Sequence, residues 1–370
     1  MNNPSVFFGK WKKRAMFPIA ALLFFSMNGC GKQDNRQAPS PKTSHRVTDL
    51  AGRIVEVPVN IERVSCVDVL AFQSLLILGE ADKISEMRLT WAPWMYQVNP
   101  KLKNIPKITG VSVEELLKKR IDVVFTYNDP KELATLASAG IAAVVAQPPT
   151  IESLDGFIAS QKEMVRLYGK IMGDKAVEKA EAWCSYYDDK IGLVTSRTQG
   201  IPKEKRTRVY IIRGPDALST HGRTGYMTWY GEMAGADMLV KNSPNTGGKT
   251  QVSMEEIIAW DPEVIFIGRQ YSHDLVFKDN RWRNITAVKE KKVHSRPDGV
   301  FYWDGGTETV LLMLYMARTL YPELFRDLDM SLELKEYYRR FYKYTLSDDE
   351  ARKILAGESP DGSHENHFNN

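Results

Sequence analysis

The sequence predicts an α/β protein of two Rossmann-like lobes, each on a central parallel-rich sheet, joined by a single long backbone helix. Three observations predict it. The chain has 370 residues, more than one hydrophobic core ordinarily serves. Short apolar runs alternate with helix-periodic stretches in both halves of the chain, a pattern that suits parallel strands covered on both faces. Between the halves, Ile151 to Thr195 carries no strand signal. A hydrophobic content of 43% beside 26% charged residues excludes wholesale disorder.

The N-terminus has the three parts of a secretory signal, placed at residues 1–29. Lys10, Lys12, Lys13 and Arg14 form a basic cluster, Ala15 to Met27 an apolar run, and Gly29 a small residue before Cys30. The run is too short to span a bilayer, which takes about 20 apolar residues. Cys30 directly after it resembles the acylated cysteine of a bacterial lipoprotein signal, with Met27 and Asn28 departing from the usual box. Residues 30–45 are rich in Pro, Ser and Lys and read as a flexible tether. The signal holds four positive charges, which is the whole formal net charge of +4. The remainder is near neutral and has no broad electrostatic footprint for nucleic acid.

The first lobe, residues 46–152, opens with a hairpin, Val47 to Pro58, around Ala51-Gly52. A buried strand at Arg63–Val67 follows, then a helix at Leu70–Leu78 stopped by Gly79. Helices at Val113–Lys119 and Lys131–Ser138 alternate with strands at Ile121–Thr126 and Ala142–Ala146. The interlobe helix is placed at 153–197, with Gly169 and Gly173 as interruptions. About 40 helical residues would span roughly 60 Å. The second lobe, 198–346, repeats the alternation: strand Arg208–Ile212, helices Thr228–Ala234 and Met254–Trp260, and strand Glu263–Gly268. Helices at Thr309–Leu320 and Leu332–Thr345 close it. Residues 347–370 are polar and read as a disordered tail. Of the three cysteines, Cys66 in a strand and Cys184 in a helix read as buried free thiols.

Phrases in order along the chain carry a resemblance: TDLAGRIVEVP, IERVSCV, LLILGEADKI, TGVSVEELLKKRIDVVFT, TQVSMEEIIAWDPEVIFIG, RWRNITAVKEKKVHSRP and LYPELF. Asn60 stands where the pattern usually has Pro. The chain thereby resembles, over about residues 46–326, the ABC-transporter substrate-binding proteins that serve siderophores, haem, cobalamin and related metal complexes. The resemblance implies a monomer outside the cytoplasmic membrane that captures an iron(III)-siderophore or related chelate between its lobes and delivers it to an ABC permease. Haem, a corrinoid or an oxyanion such as molybdate is the alternative ligand, and a cell-surface adhesion role the alternative of another class. Ser112 and Ser253 each precede a helix with acids in its first turn, a capping arrangement. The resemblance implies in addition that Glu114 and Glu255 dock on the permease.

In open α/β sheets ligands bind beyond the carboxyl ends of strands. That rule and residue chemistry select the candidate ligand-binding residues. The loop MRLTWAPWMY offers Arg88, Trp91, Trp94 and Tyr96 as an aromatic wall. Tyr127 follows the strand IDVVFT. Arg213 ends the strand VYIIR and Arg269 follows EVIFIG, both suited to a planar anion. His221, Tyr226 and Trp229 lie in the polar loop after Arg213. His221 reads as a surface residue unless a haem or oxyanion engages it. Tyr302 and Trp303 belong to the cleft edge.

No enzyme is expected. Gly110-Val111-Ser112-Val113 continues with Glu114, so there is no nucleophile elbow. Gly248-Lys249-Thr250 lacks the leading glycine of a phosphate loop, Ser243 standing there. The six histidines are scattered and no C-x-x-C occurs, so neither a cofactor nor direct metal ligation is expected.

Overall fold

The computed structural model describes residues 43–90, 92–269 and 271–362. The signal reading, Cys30, residues 30–42 of the tether and Trp91 lie outside them, whereas Ser44 and His45, expected at the end of the tether, pair in the first strand. Among the described residues no helix is long and apolar enough to cross a membrane.

The first lobe starts with an antiparallel hairpin, β1 (Ser44–Thr48) and β2 (Ile54–Pro58). Asp49 holds its turn by accepting from the backbone of Ala51 and Arg53, and its second oxygen accepts from Val145 of the neighbouring sheet. That sheet has five parallel strands: β3 (Val64–Cys66), β4 (Ile84–Arg88), β5 (Lys107–Ile108), β6 (Val123–Thr126) and β7 (Ala142–Val145), in the order β5-β4-β3-β6-β7. Strands β3 and β6 are wholly buried, which is why their residues read as unbroken apolar runs. Helix α1 (Val69–Ile77) is capped by Asp68 and buried on nearly every side. Helices α2 (Pro93–Val98), α3 (Val113–Lys118) and α4 (Pro130–Ser138) complete the lobe. Ser112 accepts from Glu115 N at the start of α3, as its spacing predicts.

The expected single interlobe helix is in fact two. Helix α5 (Leu154–Met172) and helix α6 (Asp174–Thr198) meet at Gly173 and fold back as an antiparallel pair. Gly173 has φ 105° and ψ 179°, a region open essentially to glycine alone, so it ends the helix where the sequence reading let it pass. Gly169 permits the close return, since a Cβ there would lie 2.9 Å from Ala180 Cβ. Lys162–Asp188 and Arg166–Glu181 pair across the two helices at 2.8 and 2.7 Å. Helix α5 touches α1 and, by way of Phe157, reaches Tyr226 and Trp229 of the second lobe, while α6 is the longer strut. Helix α6 contacts α1 of the first lobe and, farther along, the second lobe, where the Thr198 hydroxyl donates to Met233 O.

The second lobe has four parallel strands, β8 (Arg208–Ile212), β10 (Asp237–Met238), β12 (Val264–Ile267) and β13 (Val293–Ser295), in the order β10-β8-β12-β13. A small antiparallel pair, β9 (Ser219–Thr220) and β11 (Thr250–Gln251), sits beside it. Helices α7 (Tyr226–Met233), α8 (Met254–Trp260), α9 (Asp274–Phe277), α10 (Thr286–Lys289) and α11 (Thr309–Leu320) surround the sheet. Ser253 and Glu256 form a full capping box at α8. Cys66 and Cys184 are both free and buried, as expected.

The polar tail is not disordered over its described part. After α12 (Met330–Tyr337) the chain makes a π-helical turn, Tyr338–Tyr342, and then α13 (Asp348–Ala356), with a capping box at Ser347 and Glu350. The expected helix Leu332–Thr345 therefore stops early, at Lys343 in the left-handed region. Ala351 and Ile354 are fully buried. This C-terminal clasp crosses back to the first lobe, where Trp94 Nε1 donates to Glu358 O at 2.8 Å and Gln97 donates to Tyr344 Oη at 3.2 Å.

Candidate functional site

Three neighbouring strands of the second sheet each deliver an arginine at their carboxyl end. Arg213 follows β8, Arg269 follows β12 by way of Gly268, and Arg296 follows β13. Because β12 lies between β8 and β13, Arg269 is the central one. All three converge on Asp304 Oδ2, Arg269 Nε at 2.6 Å and Arg213 Nε and Arg296 Nη2 at 3.5 Å each. Arg269 reaches this position with φ 56°, a left-handed conformation that a non-glycine residue keeps only where its surroundings demand it. Its guanidinium also lies 4.9 Å from the centre of the Tyr302 ring.

The polar groups around this cluster are under-satisfied. Among the described residues no hydrogen bond reaches the three guanidinium nitrogens of Arg296, either ring nitrogen of His221, or Trp303 Nε1. The Arg296 side chain has no exposure at all, whereas Arg213 and Arg269 keep 21% and 20%. Arg296 is thus the floor of the site, and the other two arginines are its accessible sides. Buried donors without acceptors are costly, more so when charged. Such a group makes sense where an anion completes it.

The electrostatics agree. Burial would raise the Asp304 carboxyl, but Arg269, Arg296 and Arg213 override it and hold the group well below the usual carboxylate range. Burial and the nearby Arg213 push His221 well below its ordinary value, so it stays neutral. Burial also lowers Arg213. Asp298, beside Arg296, is pushed up to about 8 by burial, the arginines opposing. Three guanidinium groups therefore face one carboxylate, with two positive charges in excess. A cavity of about 320 Å³ lies nearby between Gln147–Ile151, the start of α5 and the loops holding Thr224 and Gly248. The Gly248 carbonyl accepts from Arg213. A cavity of about 410 Å³ between α1, α6 and the π-helical turn lies apart from this chemistry.

The remaining candidates are spread over both lobes. Trp94 is fully buried and bonded to the clasp, so it offers no stacking face. Tyr96 is half-buried with Lys107 Nζ 5.3 Å from its ring centre. Arg88 lies 5.7 Å from the centre of the Tyr127 ring, whose hydroxyl accepts from Val69 N. Tyr226 and Trp229 pack on Phe157 of α5 at 5.7 and 6.3 Å between centres. Tyr302 is buried against Arg269, and Trp303, next in the chain, has no exposure. Glu114 and Glu255 are exposed in the first turns of α3 and α8. His221 is buried at 1% exposure, against the surface position expected. Arg296 and Asp304 escaped the sequence reading. Arg296 directly follows the strand Val293-His294-Ser295, and the same strand-end rule that selects Arg213 points to it. Among the described residues no cluster of His, Cys, Asp and Glu is fit to hold a metal ion.

Comparison with known proteins agrees with this architecture. The molybdate-binding protein MolA of Haemophilus influenzae is 28% identical over 341 residues, covering 83% of this chain and 93% of that protein. A periplasmic solute binding protein of Veillonella parvula superposes with a TM-score of 0.71 at 28% identity, over 85% of this chain and 97% of the other. The structure of MolA bound to molybdate superposes with a TM-score of 0.73 at 23% identity, over 82% and 99%. The periplasmic binding protein family matches residues 64–298, and with two parallel sheets bridged by α6 the chain belongs to that family, as the substrate-binding component of an ABC importer.

Proposed function

We propose that the ligand is a small oxyanion of the molybdate class, held at the strand ends of the second lobe by Arg213, Arg269 and Arg296. The observation that carries the reading is Arg296, a guanidinium with no exposure and no hydrogen bond among the described residues. Its fork matches paired oxygen acceptors. Likeness to a protein named for molybdate binding supports the same reading. A ferric siderophore, favoured by the resemblance alone, asks for a wide aromatic wall, and buried Trp94 and Trp303 do not supply one. Within this proposal Glu114 and Glu255 dock the protein on its permease and Cys30 is the point of lipid attachment.

The test is a thermal-shift panel on the purified chain with molybdate, tungstate, a ferric siderophore, haem and cobalamin. A ligand at about 100 times its dissociation constant stabilises the native state by roughly 2.7 kcal/mol. Stabilisation by molybdate or tungstate alone is the expected result. Stabilisation by the ferric chelate alone would overturn the oxyanion reading and keep the transport role.

A further inference from the structure

We infer that Asp304 is a specificity-determining residue that fixes the charge of the captured anion at two. The inference rests on the oxyanion reading above. Two charged groups cannot leave the site. Arg296 has no exposure, and Asp304 has 1%. Asp304 is tethered by the 2.6 Å bond from Arg269 and faces Arg213 and Arg296 at 3.5 Å. One of the three positive charges is therefore cancelled from within, permanently, and two remain.

His221 and Asp298, titratable neighbours that feel the arginines, do not alter that count. His221 is neutral, because burial and Arg213 disfavour its cation. Asp298 is fully buried with neither oxygen hydrogen-bonded among the described residues, and burial favours its neutral acid. Glu308, the other buried acid of this corner, accepts from Phe301 N. Burial pushes it up to about 7, and its carboxyl is turned to the Val300 and Phe301 backbone and the Tyr338 hydroxyl. A net charge left in a low-dielectric interior is costly. A tetrahedral dianion neutralises the excess of two, whereas a monoanion of the same shape leaves one charge buried and uncompensated. Shape and hydrogen bonding alone would accept both, since each presents four equivalent oxygens. Charge is what separates them, and Asp304 decides what charge fits.

Tungstate and perrhenate make the comparison clean, being tetrahedral oxyanions of nearly equal size carrying two charges and one. Isothermal titration calorimetry on the full chain should find tungstate at least about tenfold tighter than perrhenate. Asp304→Asn keeps an oxygen for Arg269 and removes the internal charge. It should tighten both anions, tungstate by the larger factor, because the released field acts on twice the charge. Arg213→Gln removes one positive charge instead and should weaken tungstate more than perrhenate. Wild-type affinities for the two anions within about twofold of each other would overturn the inference and leave the oxyanion reading standing. So would variants that shift both anions by the same factor, which is what a residue that merely positions the arginines would do. Binding of neither anion would overturn the inference together with the reading beneath it.

Discussion

Arg296→Met separates ligand capture from folding, and the structure sets both magnitudes. The wild-type side chain has no exposure, and among the described residues its one polar contact is the 3.5 Å ion pair with Asp304. Asp304 keeps Arg269 at 2.6 Å when Arg296 is gone. The substitution therefore removes a buried charged group whose donors have no acceptor, relieving roughly 1–3 kcal/mol of desolvation cost. Methionine preserves most of the apolar stem. The ligand-free protein should consequently melt at the same temperature as wild type or a few degrees higher. Binding should behave in the opposite way. Two charge-assisted hydrogen bonds to an oxyanion, at about 1.5–3 kcal/mol each, amount to roughly 3–6 kcal/mol, a loss of about 100-fold to 10⁴-fold in affinity. Calorimetric titration with molybdate and thermal melting without it, on the same preparation, read both quantities. A lower melting temperature with unchanged affinity would refute the reasoning and make Arg296 an ordinary structural ion pair.

Four further outcomes follow from features described above. A Cβ on Gly268 would overlap the Arg296 guanidinium; Gly268→Ala should weaken oxyanion binding at least about tenfold by displacing that fork, read by the same titration. Gly169→Ala sets a methyl group 2.9 Å from Ala180 Cβ and 3.1 Å from Ala176 O, and overpacking of the helix pair should cost about 1–3 kcal/mol in denaturant unfolding. Asp298 goes from an ordinary 3.8 when unfolded to about 8 when folded, so the native state binds the extra proton. Stability should be greatest below about pH 4 as far as this group is concerned and fall as pH rises to about 8; Asp298→Asn should flatten the slope of melting temperature against pH. Trp94→Phe removes the indole bond to Glu358 O and should cost about 1 kcal/mol, while making the clasp more open to limited proteolysis.

The parts of the fold legible in the sequence are those whose burial is complete. The strands β6, β7, β8 and β12 are each four or five residues long and almost wholly buried, so apolar runs betray them. Strand β13 is three residues long, with only Val293 buried, too little for a pattern. That is why Arg296, which depends on it, went unseen while Arg213 and Arg269 did not. Gly173 shows another limit. A glycine inside a periodic stretch looks tolerable, and only its φ of 105° reveals that the chain turns back there. The clasp was hidden by polarity, since its solvent face is charged, although Ser347 and Glu350 stand at capping-box spacing. Trp94 and His221 carried correct chemistry but ambiguous location. An aromatic or imidazole ring reads the same in sequence whether it lines a cleft or lies in a core. Asp304 sits in a Gly-rich segment without periodicity, and only the meeting of three strand ends gives it meaning.

The clasp has a consequence for how the protein is made. Residues 338–342 cover α1 near the start of the chain, and Glu358 receives Trp94. The lobe synthesised first is thus finished by residues synthesised after both sheets. A chain threaded N-terminus first through a membrane pore has this lobe lacking its final layer until the trailing end arrives. The final consolidation of that lobe therefore waits on arrival of the clasp. Truncations that look harmless at the far end should therefore be felt first at the near one.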